Sequence, residues 1–450
     1  MDNGIRIPTE IIQLLSANQA WRYMLVPYDI SDKLYCYGNT DIDYSDVKAE
    51  VETLLGYTMQ ISVISNEELL KKLNTYYRPD GSFKSKSPAS SGVEFFQKLI
   101  NEAYANYASD LHFEPYEEQC RIRMRIDGKL IERYVLKRSE YATLINQIKI
   151  SACLDIAEKR LPQDGRIMYK NGSSKFDIRV SSLPTIYGEK LVLRLLTRHL
   201  ELLDINNLGF TPKQLDDYKK CVSNPHGMVL ITGPTGSGKS TTLYATLLML
   251  NKDTSNILTI EDPIEYTLHG VNQVQLKEEI GLTFPNALRT FLRQDPDIIM
   301  LGEIRDPDTA QMAIRSSLTG HLILSTLHTN SAFGAVSRLR DMNIHPYLLS
   351  STLLLCVSQR LVRLLCKSCK SGNSPTGCAE CYYTGYKGRK AIYEVIPIDD
   401  QIREMIKNGS DKIDDYLKKK GITTIKESAL ALYEQKETSY EEILPIVQSL

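Results

Sequence analysis

The chain lacks an excess of charge of either sign. Its 450 residues carry 54 Lys and Arg against 55 Asp and Glu, a formal net charge of -1. That balance removes the general electrostatic reason to expect a nucleic-acid partner. It also lacks an uninterrupted apolar stretch. The most apolar window, Tyr347–Cys366 (YLLSSTLLLCVSQRLVRLLC), is broken by Gln359, Arg360 and Arg363, so it reads as a buried helix rather than a membrane span. The opening residues, MDNGIRIPTE, have neither the basic nor the apolar region of a signal peptide. Without such a signal, the nine cysteines point to a reducing compartment and to thiols that are free or metal-bound. No internal repeat and no long low-complexity tract is present.

What is present is an ordinary globular composition, 42% hydrophobic and 24% charged. Domains of about 50–250 residues make this length two to four of them. Residues 1–77 read as a small mixed domain, with short strands at Leu34–Tyr37 and Ile61–Ile64. Helices are expected at Asp46–Leu55 and Glu67–Tyr76, the second capped by Ser65 or Asn66. Arg78–Gly92 (RPDGSFKSKSPASSG) has the Pro, Gly and Ser content of a linker. A second unit runs from Val93 to about 204. Its helix Val93–Ala108 precedes strands at Cys120–Ile126, Arg166–Tyr169, Phe176–Val180 and Lys190–Leu196, and Asp127-Gly128 and Asn171-Gly172 are hairpin signals. From about 205 to 450, strands alternate with helices, which predicts a mostly parallel α/β core. Asp399 onward reads as helical and charged.

The most informative stretch is Gly233–Ser240, GPTGSGKS, which fits the phosphate-binding pattern G-x-x-x-x-G-K-[ST]. The apolar run ending at Thr232 predicts a strand, and Thr241–Leu250 (TTLYATLLML) predicts a helix, the context the pattern requires. Gly233, Gly236 and Gly238, with Pro234, Thr235, Ser237 and Thr241, form the loop and its exit. Glycines let backbone N–H groups turn toward phosphate oxygens, and a helix N-terminus favours the anion. Lys239 supplies a point charge near the β and γ phosphates, and Ser240 a hydroxyl for Mg²⁺.

Three further segments follow in order. Ile257–Tyr266 (ILTIEDPIEY) is an apolar strand ending in Glu261, Asp262 and Glu265. Arg293–Asp306 (RQDPDIIMLGEIRD) carries strand Ile298–Leu301 and then Gly302-Glu303. Gly320–Ser331 (GHLILSTLHTNS) places His321 and His328 at either end of a strand-like run. A carboxylate just past a buried strand, beside a phosphate loop, can hold Mg²⁺ or orient water. A solvated loop carboxylate or a structural histidine is the plainer reading of each residue taken alone. Farther on, Cys366-x-x-Cys369 and Cys378-x-x-Cys381 flank a short polar spacer. Two such pairs can wrap a tetrahedral Zn²⁺ with four thiolates, with disulfides as the alternative. Cys36, Cys120, Cys153, Cys221 and Cys356 stand singly and read as packing residues.

Together these segments resemble the ATPases of type II secretion and type IV pilus assembly. GPTGSGKS resembles that family's Walker A motif, TIEDPIEY its Asp box, DPDIIMLGEIRD its Walker B motif and GHLILSTLHTNSA its His box. ASDLHFEP (108–115), RIDG (125–128), LPQDGR (161–166) and DIRVS (177–181) resemble its N-terminal half, and the four-cysteine module with GYKGRKAIYEV (385–395) its extension-type branch. The resemblance implies a RecA-like ATPase domain preceded by a PAS-like α+β domain and a small N-terminal partner-docking α/β domain. It implies ATP, Mg²⁺ and Zn²⁺ as cofactors and a cytoplasmic homo-hexamer meeting inner-membrane platform proteins. It assigns Glu265, Glu303 and His328 to catalysis or metal positioning, and Arg166, Arg179 and Arg194 to the phosphates. A nucleic-acid ring motor and a nucleotide-switched scaffold without turnover are the rival expectations.

Overall fold

The computed structural model describes residues 7, 9–12, 14–40, 42–77, 92–117, 119–171, 174–196, 203–410 and 413–448. Apart from Gly92, the expected linker lies outside the described residues, as does Gly172 of one hairpin signal. The chain divides into two compact units. One comprises residues 1–195 with Leu365–Lys387, the other Leu196–Leu364 with Gly388–Leu450.

In the first unit, residues up to Tyr77 form a three-stranded sheet of Val26–Ile30, Leu34–Asn39 and Met59–Ile64. The first pairing is antiparallel and the second parallel. Buried Leu25, Leu34, Cys36, Val51, Leu69 and Leu73 make its core. Helix Asn66–Tyr76 starts where the Ser65 hydroxyl accepts the Glu68 N–H at 3.2 Å.

The rest of that unit is built on a six-stranded sheet with the PAS-like α+β arrangement. Its strands run, edge to edge, Lys129–Leu136, Cys120–Ile126, Asp110–Pro115, Gly188–Leu196, Ser174–Thr185 and Gln163–Asn171. Period-2 alternation sorts its two faces. Leu111, Phe113, Ile122, Met124, Ile178, Val180, Leu191 and Leu193 are buried in one core with helices Gly92–Ala105 and Arg138–Ser151. The intervening residues give the other face an ionic layer. Buried Glu114 accepts from Arg123 at 2.6 Å and Arg121 at 2.8 Å, with Lys190 at 3.4 Å. Buried Asp110 pairs with Arg194 at 3.0 Å and Arg125 at 3.4 Å.

The second unit holds a seven-stranded sheet in the RecA-like arrangement. In spatial order its strands are Asn272–Gln275, Ile257–Glu261, Ile298–Leu301, Leu322–Leu327, Gly227–Thr232, Leu353–Leu365 and Tyr386–Pro397. The first five and their neighbour Leu353–Leu365 pair in parallel. Both faces are covered, so these strands read as continuous apolar runs. Met228, Leu230, Ile260, Ile299, Leu301 and Ile323 pack in one core with helices Phe284–Phe291, Pro307–Leu318 and Gly334–Asp341. Val229, Ile231, Ile257, Met300, Leu324, Leu355 and Val357 pack in the opposite one with helices Pro212–Val222 and Lys239–Leu250.

One expectation is corrected. Tyr347–Cys366 is not a single buried helix: a helix over Pro346–Thr352 gives way to strand Leu353–Leu365. A strand buried on both faces and a buried helix share the same unbroken apolar signature, so periodicity could not separate them.

Burial raises the Glu114 pKa, but the hydrogen bonds and charges of Arg123 and Arg121 outweigh it and hold the carboxyl at about 2. A carboxylate held below its unfolded value adds stability that is complete above that value and is lost as pH falls through the folded one. Glu114→Gln is therefore expected to lower thermal stability at neutral pH and to flatten its decline between about pH 4.5 and about pH 2, measured by circular dichroism melts across that range.

Candidate active site

The register of the parallel sheet sets the site. Thr232 lies opposite Leu327 and Ser358, Ile260 opposite Leu301, and Leu301 opposite Ser325. The carboxyl ends of four strands therefore lie within two residues of one another, and the motifs that follow them emerge at the same edge, where ligands bind in open α/β sheets.

Strand Gly227–Thr232 is buried throughout and turns into the glycine loop, which ends in helix Lys239–Leu250. Gly233 (φ 147°) and Gly238 (φ 90°) adopt backbone that side chains resist. A Cβ on Gly233 would come within 2.5 Å of the Gln359 carbonyl oxygen and 2.7 Å of Ser237 Oγ; on Gly238 it would meet Gln359 Nε2 at 2.8 Å. Lys239 is buried at the base of the loop, where Nζ donates to the carbonyls of Gly233 at 2.8 Å and Pro234 at 3.1 Å. Burial draws its pKa down and the charge of Glu303 opposes that. Ser237 Oγ is buried with no hydrogen-bond partner among the described residues. Pro234, Thr235, Gly236 and Ser240 are exposed, with Thr241 half-buried behind them. A buried orphaned hydroxyl, a buried lysine on neutral carbonyls and a cradle too tight for Cβ atoms fit a phosphate chain.

Glu303 sits two residues past strand Ile298–Leu301. It faces His328 Nε2 at 3.2 Å, across from the end of the neighbouring strand. Arg305 pairs with Glu303 and reaches Asp262 at 3.7 Å. The structure thus gathers Glu303, His328, Arg305 and Asp262. The two histidines divide. His321, at the opposite end of its strand, has Nδ1 2.9 Å from the Ser316 carbonyl and serves the fold.

The three carboxylates after Ile257–Glu261 also divide. Asp262 is exposed and Glu265 half-buried, while Glu261 is buried and accepts from Thr259 Oγ1 at 2.6 Å, Gln273 Nε2 at 3.0 Å and the Tyr244 hydroxyl.

Arg166, Arg179 and Arg194 belong to the first unit, on the ionic face of its sheet. Arg166 and Arg179 are direct cross-strand partners. Arg166 pairs with Asp177 and Arg194 with Asp110, and both guanidinium side chains stay more than half exposed.

The Sγ atoms of Cys366, Cys369, Cys378 and Cys381 lie within 4.8 Å of one another, with separations of 3.9 Å (Cys366–Cys378), 3.7 Å (Cys369–Cys381) and 3.8 Å (Cys378–Cys381). A tetrahedron with Zn–S bonds of about 2.3 Å has edges of about 3.8 Å, so the cluster fits that ion and not a pair of disulfides. Sequence order placed this loop in the C-terminal domain, but in space it groups with the first unit. Tyr382, next to Cys381 and in left-handed backbone, donates to Asn106 Oδ1 at 2.5 Å. The Arg133 guanidinium lies 4.1 Å from its ring centre, and Glu102 pairs with Arg133. Among the single cysteines, Cys153 departs from the packing expectation: it is exposed in a turn at φ 57°.

Sequence reasoning missed Gln359 and Arg360, which served only as interruptions of an apolar window. Because Ser358 is level with Thr232, both fall against the loop. Gln359 is buried and its Oε1 accepts from Thr242 Oγ1 at 2.9 Å. Arg360 donates to the Gln359 and Asn330 carbonyls, each at 3.1 Å. Two polar residues in a buried strand were the available signal.

A phosphate loop on a RecA-like sheet, with a carboxylate and a histidine at the next strand ends, defines a phosphate-loop ATP hydrolase. The model of the family described as type II/IV secretion system protein matches residues 86–445. The chain belongs to that family. The type II secretion system protein E of Klebsiella pneumoniae is 49% identical over 340 residues, covering 71% of this chain and 68% of that protein. The type II secretion system ATPase E of Vibrio cholerae serotype O1 is 43% identical over 379 residues, covering 79% and 75%. Among solved structures, the pilus retraction motor PilT with bound ADP matches at 27% identity with a TM-score of 0.56, covering 78% of this chain and 96% of that one. The ATPase DotB of Legionella pneumophila shares the fold, with a TM-score of 0.63 at 22% identity over 81% of this chain and 98% of that one.

Gly233→Ala forces a side chain into left-handed backbone against the Gln359 carbonyl. Strain of about 1–3 kcal/mol at the loop is expected to weaken nucleotide binding roughly tenfold or more, read by titration with a fluorescent ATP analogue.

Proposed function

We propose that this chain is the cytoplasmic motor of a type II secretion or type IV pilus extension system, working as a homo-hexamer on inner-membrane platform proteins. Its class is that of an ATPase motor for secretion or pilus assembly. Among the described residues no helix is long and apolar enough to cross a membrane, so in this reading membrane association passes through partners. Residues 1–77 dock a partner, 93–204 form the PAS-like half, and the rest of the chain to 450 forms the RecA-like half, apart from the cysteine module, which groups with the first unit.

The observation that carries the reading is the Glu303–His328 pair, 3.2 Å apart at strand ends level with the glycine loop. Loop N–H groups and Lys239 hold the β and γ phosphates, and Ser240 holds Mg²⁺, which supplies Lewis-acid neutralisation of the phosphate charge. Glu303 accepts a proton from water or orients it, and His328 and Arg305 fix the direction of its carboxylate. Glu265, in the turn after Ile257–Glu261, serves catalysis or metal positioning. Arg166, Arg179 and Arg194 add fixed, planar charge for phosphate oxygens. Cys366, Cys369, Cys378 and Cys381 would hold a structural Zn²⁺ through their four thiolates.

The deciding experiment is steady-state ATP hydrolysis with Mg²⁺ across protein concentration, alongside light-scattering mass. Turnover per subunit that rises as hexamers form supports the ring motor; turnover unchanged in a monomer overturns it. Lys239→Ala and Glu303→Ala are each expected to lose turnover by on the order of a hundredfold or more, while Glu303→Ala still binds ATP. Near-normal turnover in either variant overturns its role. Purified protein should carry one zinc per chain by elemental analysis, and Cys381→Ser should not retain it.

A further inference from the structure

Among the described residues, the side chains that donate to buried Glu261 are three neutral ones, and two of them also hold the turn that follows its strand. Tyr244 lies on helix Lys239–Leu250, the helix that begins at the phosphate-loop lysine. Its hydroxyl donates to Glu261 Oε2 and accepts the backbone N–H of Glu265 at 3.2 Å. Gln273, on edge strand Asn272–Gln275, gives one amide N–H to Glu261 Oε1 at 3.0 Å and the other to the Tyr266 carbonyl at 2.8 Å. Its own carbonyl accepts the Leu268 N–H at 2.7 Å. The turn from Asp262 to Leu268 is therefore tied at residues 265, 266 and 268 to one buried carboxylate. The Tyr244 ring also packs edge-on against Tyr266, with centres 5.4 Å apart. Burial and the adjacent carboxylate keep the phenol protonated, so its one proton stays directed at Glu261 and its lone pair at Glu265.

We infer that Tyr244 and Gln273 are positioning residues for ATP hydrolysis: through Glu261 they fix the Glu265 backbone relative to the helix that carries Lys239. The inference rests on the reading of Glu265 as a residue of the ATP site. The same carboxylate thus joins the helix that carries Lys239 and the edge strand Asn272–Gln275 to the Glu265 turn. A misplacement of about 1 Å in a catalytic group can cost on the order of a hundredfold in rate.

The test is Tyr244→Phe in the full-length chain, which keeps the ring and removes the hydroxyl. The expected result is a fall in kcat of roughly tenfold or more, with KM for ATP and the dissociation constant of a fluorescent ATP analogue within about twofold of wild type. In a Glu265→Gln background the same substitution should add no further loss, because it acts through that residue. Unchanged kcat in Tyr244→Phe, or losses that multiply in the double variant, overturns the inference alone. Normal turnover in Glu265→Gln overturns the reading of Glu265 and the inference with it. Gln273→Met, which removes the amide at nearly constant length, carries the same split should the phenylalanine variant fail to fold.

Discussion

Everything at the ATP site depends on the hydrogen-bonded register of one parallel sheet. A parallel ladder fixes which residues of adjacent strands are level, and side-chain period locks that choice, because a slip of one residue exchanges the two cores. Met228 and Leu230 face one core and Val229 and Ile231 the other. With that register held, Thr232 and Leu327 end their strands level and Leu301 ends two residues short of them, so Glu303, two residues past Leu301, and His328, one past Leu327, emerge together next to the glycine loop. The chemistry is set by residues just beyond these strands, while their position is set by buried residues that never touch nucleotide.

A second constraint is electrostatic. The buried carboxylates of this unit are held by neutral donors: Glu261 by hydroxyls and an amide, and Glu394 by the backbone N–H groups of Ala332 at 2.9 Å and Ile425 at 3.2 Å. Buried Lys239 and half-buried Arg360 have the reciprocal arrangement. Lys239 and Arg360 donate to backbone carbonyls, and burial lowers the pKa of both. Among the described residues, Lys239 and Arg360 thus have no ion-pair partner beside the loop. A desolvated cation in that condition is costly by itself and is relieved by a polyanion. The opposite pattern rules the sheet of the first unit, where Glu114 and Asp110 are bound directly by arginines.

The parts of this architecture legible in the sequence were those where local chemistry and topology agree. GPTGSGKS can be read because glycine spacing, strand and helix all demand the same turn. Ile298–Leu301 can be read because four apolar residues between Asp297 and Gly302-Glu303 leave little else to form. Leu353–Leu365 could not be separated from a helix, since burial on both faces erases alternation, and with it went the meaning of Gln359 and Arg360. Tyr244 gave no signal, because a tyrosine on an apolar helix face resembles any core aromatic until its hydroxyl's partners are known. The spacing of the four cysteines announced a common site. Its membership in the first unit depends on Tyr382 meeting Asn106 and Arg133, contacts between residues more than two hundred positions apart.

That last feature makes the four sulfurs the end of a short lever. Tyr382 is covalently adjacent to Cys381, and its ring is gripped on one side by a guanidinium and at its tip by an amide. The sulfur cluster spans edges near 3.8 Å, whereas a disulfide would draw two of its members to about 2.05 Å. The cysteine loop is therefore anchored, through the residue that follows Cys381, to the end of helix Gly92–Ala105 and to strand Lys129–Leu136 of its own unit.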